Sequence, residues 1–211
     1  MFVLSCPSCG APVKFATQTT GYGVCDACHS MLVRRDLDVD KVGETAAVQE
    51  DGSPLQVGAS GSHGGASFEI VGRIQVRYPF GFWNEWYVLF GDGRDGWIGE
   101  AQGTYFVSAR MEAPPPLPPF ALLQRGNGLR VGDTPMIVTD ARTAQVTGCQ
   151  GALPFVQSSG YEAPLVDLHS ASNKGATIDY SEDPPLLFVG EYVDFDDLHF
   201  ANLRDIEGWH P

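Results

Sequence analysis

Four cysteines near the N-terminus carry the plainest chemical signal in this chain. They are the pair Cys6-Pro7-Ser8-Cys9 and, after fifteen intervening residues, the pair Cys25-Asp26-Ala27-Cys28. Each C-x-x-C pair needs a tight turn to aim two sulfurs at one point, and two such pairs supply the four thiolates of a tetrahedral zinc site. Gly10, directly after the first pair, tolerates the positive φ that such a turn requires. A site filled by four thiolates keeps no open position for water or substrate, so its role is structural. The same cage accepts iron, and a redox dithiol is a further alternative. Cys25-Asp26-Ala27-Cys28-His29 also matches the C-x-x-C-H pattern of haem attachment. That chemistry would require export and would leave Cys6 and Cys9 without a purpose. Structural zinc on Cys6, Cys9, Cys25 and Cys28 is therefore the expected cofactor.

Other reactive residue types are present without a catalytic pattern. Cys149 is the remaining cysteine; it could act as a nucleophile with His169 or His199 as base, and it reads better as a small buried hydrophobe on a strand. Asp179, Glu182 and Asp183, and the trio Asp194, Asp196 and Asp197, lack the ordered loop pattern of a calcium site and read as solvated turns. Phe82-Trp83-Asn84-Glu85-Trp86 is an aromatic run that could face a ligand or pack in a core. No Ser-His-Asp signature, phosphate loop or H-E-x-x-H is found. Trp83, Glu85 and Trp86, with Asp194, Asp196 and Asp197, form the candidate ligand or partner surface.

The elements that must position these residues are strands. Gly (25) and Pro (15) are frequent among the 211 residues, which favours turns over long helices. Residues 1–36 form a small ribbon in which Val13-Lys14-Phe15 and Tyr22-Gly23-Val24 make two short strands. Residues 37–66 are acidic and then Gly/Ser-rich, a composition that predicts a flexible linker. Ser67 to Tyr78 is a strand carrying Phe68, Ile70, Ile74, Val76 and Tyr78 at mostly alternate positions, with Gly72 marking a bulge or bend. Trp86 to Phe90 is a second strand, and Gly91 to Gly96 is the hairpin turn that returns the chain at Trp97-Ile98. Residues 112–120 are a polyproline connector. Met136–Thr139, Ala144–Cys149, Ala176–Tyr180 and Leu186–Phe188 are further strands, with turns at Gly132-Asp133 and Gly190-Glu191. A short helix or last strand closes the tail from Leu198 to Ile206. Residues 67–207 are thus expected to be an antiparallel β-sandwich or barrel-like domain, making the whole mainly β.

The formal net charge is −13, and four thiolates with one zinc dication take it to about −15. So acidic a chain repels phosphate backbones, and the one basic patch, Lys14, Arg34 and Arg35, is thin. No apolar run approaches the roughly 18–20 residues of a membrane span. The N-terminus has neither a basic region nor the roughly 7–15 apolar residues of an export signal. A cytoplasmic location follows, and reduced thiols there favour metal over disulfide.

The run Cys6 to Phe15 reads C-P-x-C-G-A-P-V-x-F, and Tyr22 to Val33 completes the ribbon. The β segment carries Phe68 to Ile74, Trp83 to Phe90, Gly96 to Gly103, Gly151-Ala152-Leu153-Pro154, Ala176 to Tyr180, Gly190 to Val193 and Leu198 to Arg204. On these pieces the chain resembles the bacterial domain-of-unknown-function family 4178, with Ala152 standing where an acidic residue is expected. The resemblance carries over no established activity. By the genes that accompany the family it implies an adaptor role at a membrane-associated, stress-related assembly.

The leading expectation is a non-enzymatic adaptor with protein partners and no membrane insertion of its own, its two modules joined by the linker. One alternative is nucleic-acid binding through the ribbon. Another is a small-ligand binder or enzyme whose cleft is lined by Trp83, Trp86 and the Asp194–Asp197 turn, for which a polyamine suits an acidic protein.

Overall fold

The computed structural model of the protein describes residues 2–15, 21–35, 38–155 and 160–208. Fifteen strands are found among them: β1 Phe2–Ser5, β2 Pro12–Phe15, β3 Tyr22–Val24, β4 Ser30–Arg35, β5 Asp38–Glu44, β6 Ser60–His63, β7 Ala66–Tyr78, β8 Gly81–Phe90, β9 Asp95–Ala101, β10 Thr104–Arg110, β11 Gly128–Val131, β12 Thr134–Leu153, β13 Glu162–His169, β14 Lys174–Asp179 and β15 Leu186–Val193. Among the described residues two short 3-10 turns, Phe120–Leu122 and Asp196–Leu198, interrupt the β structure.

Eight strands close into a ring. β7, β8, β9 and β10 form one meander, β12, β13, β14 and β15 a second, and the seams β7–β12 and β10–β15 join them, every pairing antiparallel. Of the expected sandwich or barrel, the chain forms the closed barrel, which leaves none of these eight without a neighbour on either side. Closure demands close backbone approach at the seams. A Cβ on Gly72 would lie 2.1 Å from the Ala152 carbonyl oxygen, and one on Gly190 would lie 1.9 Å from that of Val107. Gly190-Glu191, expected to begin a turn, is instead mid-strand in β15 for this reason.

The bulge expected at Gly72 is present as a register shift between Ile70 and Gly72. It changes which face the strand presents. Phe68 and Ile70 pack outside the ring with Trp86, Val88, Phe90, Ile98 and Leu198. Ile74 and Val76 pack inside with Tyr87, Trp97 and Val146. One alternating apolar pattern therefore serves two cores. The outer face of the other meander is covered by β11 and the proline-rich connector, where Leu123, Val131, Val138, Leu168 and Ile178 are buried and Leu117 and Phe120 pack against them. Tyr180 fastens that connector by donating its hydroxyl to the Pro118 carbonyl (2.5 Å). Met136–Thr139 and Ala144–Cys149 belong to one twenty-residue strand, β12, and β13 was not foreseen. The tail makes the 3-10 turn and a single bridge, Ser60 to Ala201, in place of a helix or full strand.

The acidic segment is not a flexible linker. Residue 37 lies outside the described residues, but 38–44 are strand β5 on the ribbon and 60–63 are strand β6 on the barrel. Between them Leu55 and Ala59 are fully buried. Gln75, itself fully buried, accepts from the Gln49 N–H (2.8 Å) and donates to the Gln49 carbonyl (3.1 Å), imitating a strand partner. Composition predicts disorder only where such partners are lacking, and here β7 and the C-terminal segment provide them.

Candidate metal centre and barrel interior

The ribbon consists of two knuckles of the same design. In the first, the Cys6 N–H donates to the Ala11 carbonyl (2.8 Å) and the Gly10 N–H to the Cys6 carbonyl (2.9 Å), with Gly10 at φ +78°. In the second, the Cys25 N–H donates to the Ser30 carbonyl (3.0 Å) and the His29 N–H to the Cys25 carbonyl (2.8 Å), with His29 at φ +56°. His29 thus occupies the left-handed position that Gly10 fills in its counterpart, which explains a histidine directly after a C-x-x-C pair without any haem.

The four sulfurs lie within 4.8 Å of one another. Cys6 to Cys28 is 3.7 Å and Cys9 to Cys25 is 3.6 Å. A tetrahedron with zinc–sulfur bonds of about 2.3 Å has edges of about 3.8 Å, so the spacing fits a four-coordinate metal. All four cysteines are free of disulfides. Their acidities are unequal. The Ser30 hydroxyl, 3.3 Å from the Cys28 sulfur, and the Ser30 backbone draw Cys28 down to about 6. Cys9 gains from the Ala11 backbone, yet the Cys28, Cys25 and Cys6 sulfurs together with lost hydration push it up to about 12. Four thiolates at this distance repel one another, and a bound dication removes that conflict. The cluster can hold a metal ion. Among the described residues it is the one place where three or more ligand-type side chains converge.

The ribbon is docked on the barrel. β3 pairs with the end of β12 through Gly23–Ala152 and Tyr22–Leu153. Val24 joins the core that contains Leu153, while Phe15 and Leu32 fill the ribbon's own small core. The basic patch is partly consumed: Arg34 lies over the Phe15 ring (5.9 Å), and Arg35 pairs with Asp40 (3.6 Å). Lys14 is exposed and shares a groove with Asp26 and Glu50.

The proposed cleft of Trp83, Trp86 and Asp194–Asp197 is not assembled, because alternation puts the tryptophans on opposite faces of β8. Trp86 is fully buried outside the ring. Trp83 points inside with Glu85, whose Oε1 accepts from the Trp83 indole (2.7 Å). Asp194, Asp196 and Asp197 are exposed around the C-terminal turn. The aromatic side chains of this region that reach solvent are Phe80 (92% exposed) and Phe82, at the β7–β8 turn. Cys149 is fully buried, and burial pushes its thiol up to about 11, which suits a core residue and not a nucleophile.

A buried polar network was missed altogether. Arg73 donates to Asn84 Oδ1 (3.0 and 2.7 Å) and to Asp51, and stacks 4.7 Å over the Trp86 ring. Asn84 donates to Asp51 (2.9 Å) and Glu100 (3.1 Å). Trp86 Nε1 (2.8 Å) and Ser53 Oγ (2.7 Å) also donate to Glu100, and Arg204 donates to Asp51 (3.1 Å). Two guanidinium groups thus balance two carboxylates. The network ties the 45–59 segment and the C-terminus to the outside of β7, β8 and β9. Its sequence trace is a polar residue at one outward position in each of three largely apolar strands: Arg73, Asn84 and Glu100.

Carboxyls of the barrel interior are also perturbed. Burial raises Glu85 to about 7, although the Trp83 hydrogen bond opposes this and nearby Asp167 adds to it. Burial likewise raises Asp167, against the hydrogen bond donated by Thr177 Oγ1 (2.8 Å).

Among the described residues no helix is long and apolar enough to cross a membrane. No curated protein and no solved structure matches the chain. Residues 56–195, which hold the whole ring of eight strands, match the family model described as domain of unknown function (DUF4178), and the chain belongs to that family.

Proposed function

We propose that this protein is a non-enzymatic interaction protein, an adaptor whose ribbon carries one structural zinc ion and whose barrel docks a protein partner through the β7–β8 turn. The observation that carries the reading is Phe80. It stands 92% exposed between Pro79 and Gly81, with Phe82 beside it and the Tyr78 ring 6.4 Å away. An exposed aromatic held on a rigid hairpin has the character of an interface anchor, since it loses little freedom on binding and buries a large apolar area. The partner chemistry that fits is an apolar pocket on another protein. The partner proposed here belongs to a bacterial membrane-associated stress assembly, the role expected from the resemblance in the sequence.

Zinc is the metal of the reading because thiolate-only tetrahedral sites suit it and because a closed site serves folding. Elemental analysis of the purified protein is expected to give one zinc per chain. For the docking surface, a photo-crosslinking phenylalanine analogue at position 80 is expected to give one dominant adduct in cells, absent when the analogue replaces exposed Lys174. No adduct, or an indiscriminate ladder at both positions, overturns the docking role.

A further inference from the structure

The interior of the ring holds a cavity of about 130 Å3. Its walls are mainly apolar, with Trp83, Trp97, Phe106, Phe155 and Phe188 beside aliphatic side chains, and Trp97 and Phe155 stacked at 5.8 Å. Glu85 and Asp179 are the acids among the lining residues. Glu85 Oε1 is fixed by the Trp83 indole at 2.7 Å. Its Oε2 lies over Gly99 of β9, where even a Cβ would stand 3.4 Å away, so β9 sends no side chain over it. Protein surrounds Glu85, and the little surface it keeps faces the cavity.

The charge lining the cavity is one-sided; Arg142 of β12, ion-paired with Asp140, acts on Asp167 from outside that lining. Among the described residues no Lys, Arg or His lines the cavity. The titratable groups that face Glu85 are Asp167 on β13, Asp179 on β14 and Tyr192 on β15, all acids. A carboxyl held in an apolar interior beside other acids favours its proton, which agrees with its raised value. It equally favours a cation that can replace that proton. A metal dication would need six or more oxygens, which this wall does not supply. An organic ammonium needs one carboxylate and aromatic surroundings, which it does. Size limits the rest, since a dry cavity of about 150 Å3 accommodates benzene.

We infer that the barrel interior is a binding site for a small primary ammonium compound of about five or six heavy atoms, its nitrogen on Glu85 and its alkyl part against Trp83, Trp97 and Phe106. The acidic chain favours entry of such a cation over an anion of the same size. This site is independent of the Phe80 turn and of the zinc ribbon.

The test uses the full-length, zinc-loaded protein at pH 8.5, where Glu85 is ionised, and n-butylammonium chloride as the probe. Calorimetry is expected to show one saturable site. Glu85→Gln should weaken it at least tenfold, and n-pentanol, of similar size without the charge, should bind at least tenfold more weakly than n-butylammonium. Should Glu85→Gln fail to fold, the wild-type protein still decides: in a nitrogen–proton correlation spectrum the Trp83 indole signal should move on titration while that of Trp86, outside the ring, stays. Absence of saturable binding, equal binding by Glu85→Gln or by n-pentanol, tighter binding of butanoate, or a shift at Trp86 in place of Trp83 would each overturn the inference.

Discussion

The ribbon's own core cluster holds five buried residues, two of them cysteines: Cys6, Val13, Phe15, Cys25 and Leu32. The barrel is packed inside its ring and on both outer faces, with Trp86, Ile70, Ile98, Leu168, Ile178 and Leu187 all fully buried. A segment as small as the ribbon offsets little of its chain entropy with so few apolar contacts, and a metal ion held by its four cysteines would contribute what the core does not. The barrel needs no such aid. What joins the two is short: the β3–β12 pairing, Val24 against Leu153, and the 45–59 segment held by the Asp51–Arg73 network. One region lacks a core large enough to hold it unaided, the other is held by packing, and the joint depends on buried polar groups.

The largest expected effect breaks the comparison at the ribbon. Stripping the metal with a strong chelator, or replacing Cys25 with Ser, removes on the order of 10–16 kcal/mol of apparent metal-binding energy. Amide exchange should then become fast across residues 22–35 while β8 and β14 stay protected. Retained protection in the ribbon would mean that docking on β12 suffices to fold it. At the joint, Asp51→Ala leaves Arg73 buried without its main counter-charge and is expected to cost about 3–5 kcal/mol, read by denaturant unfolding. A cost under about 1 kcal/mol would show that Asn84 and water can hold that guanidinium.

Inside the barrel the effect is smaller and depends on pH. Glu85 holds its proton more tightly when folded, up to about 7 from an ordinary 4.5. Its contribution is therefore fully present below the unfolded value and is lost as pH rises from about 4.5 through about 7. Glu85→Gln should flatten that fall and gain up to about 3 kcal/mol relative to the parent at pH 8. An unchanged pH profile would assign the fall to other acids. The smallest effect on stability belongs to the turn: Phe80→Ser should change it by no more than about 0.5 kcal/mol while removing the co-purifying partner. A large loss of stability would mean that Phe80 packs against the barrel in solution.

The ribbon's ligands were fully legible because thiol spacing is a local property of the chain. The β character was legible for the same reason, from runs such as Trp86 to Phe90. Barrel closure was not, since it rests on pairings such as Gly72 with Gly151 and Tyr105 with Val193, between residues far apart in sequence. The 37–66 segment misled because composition reports what a segment can bury by itself, whereas Asp51 and Leu55 are held by residues from β7 and beyond. Trp83 and Trp86 were grouped by nearness in sequence, though a separation of three in a strand sends two side chains to opposite faces. The bulge at Gly72 is an intermediate case: its place could be seen, but not that it would exchange the inner and outer cores.

The two seams of the ring also set an order of events in time. Each four-stranded meander is built from neighbours in sequence and can form quickly, whereas β7–β12 and β10–β15 must wait for distant strands to meet. Until they do, β7, β10, β12 and β15 are bare edges rich in Val, Ile and aromatic residues, open to pairing with another chain. During synthesis β7 emerges well before β12. Newly made protein therefore passes through an interval in which its first meander is complete and unclosed, and this is the stage at which misassembly between copies competes with folding.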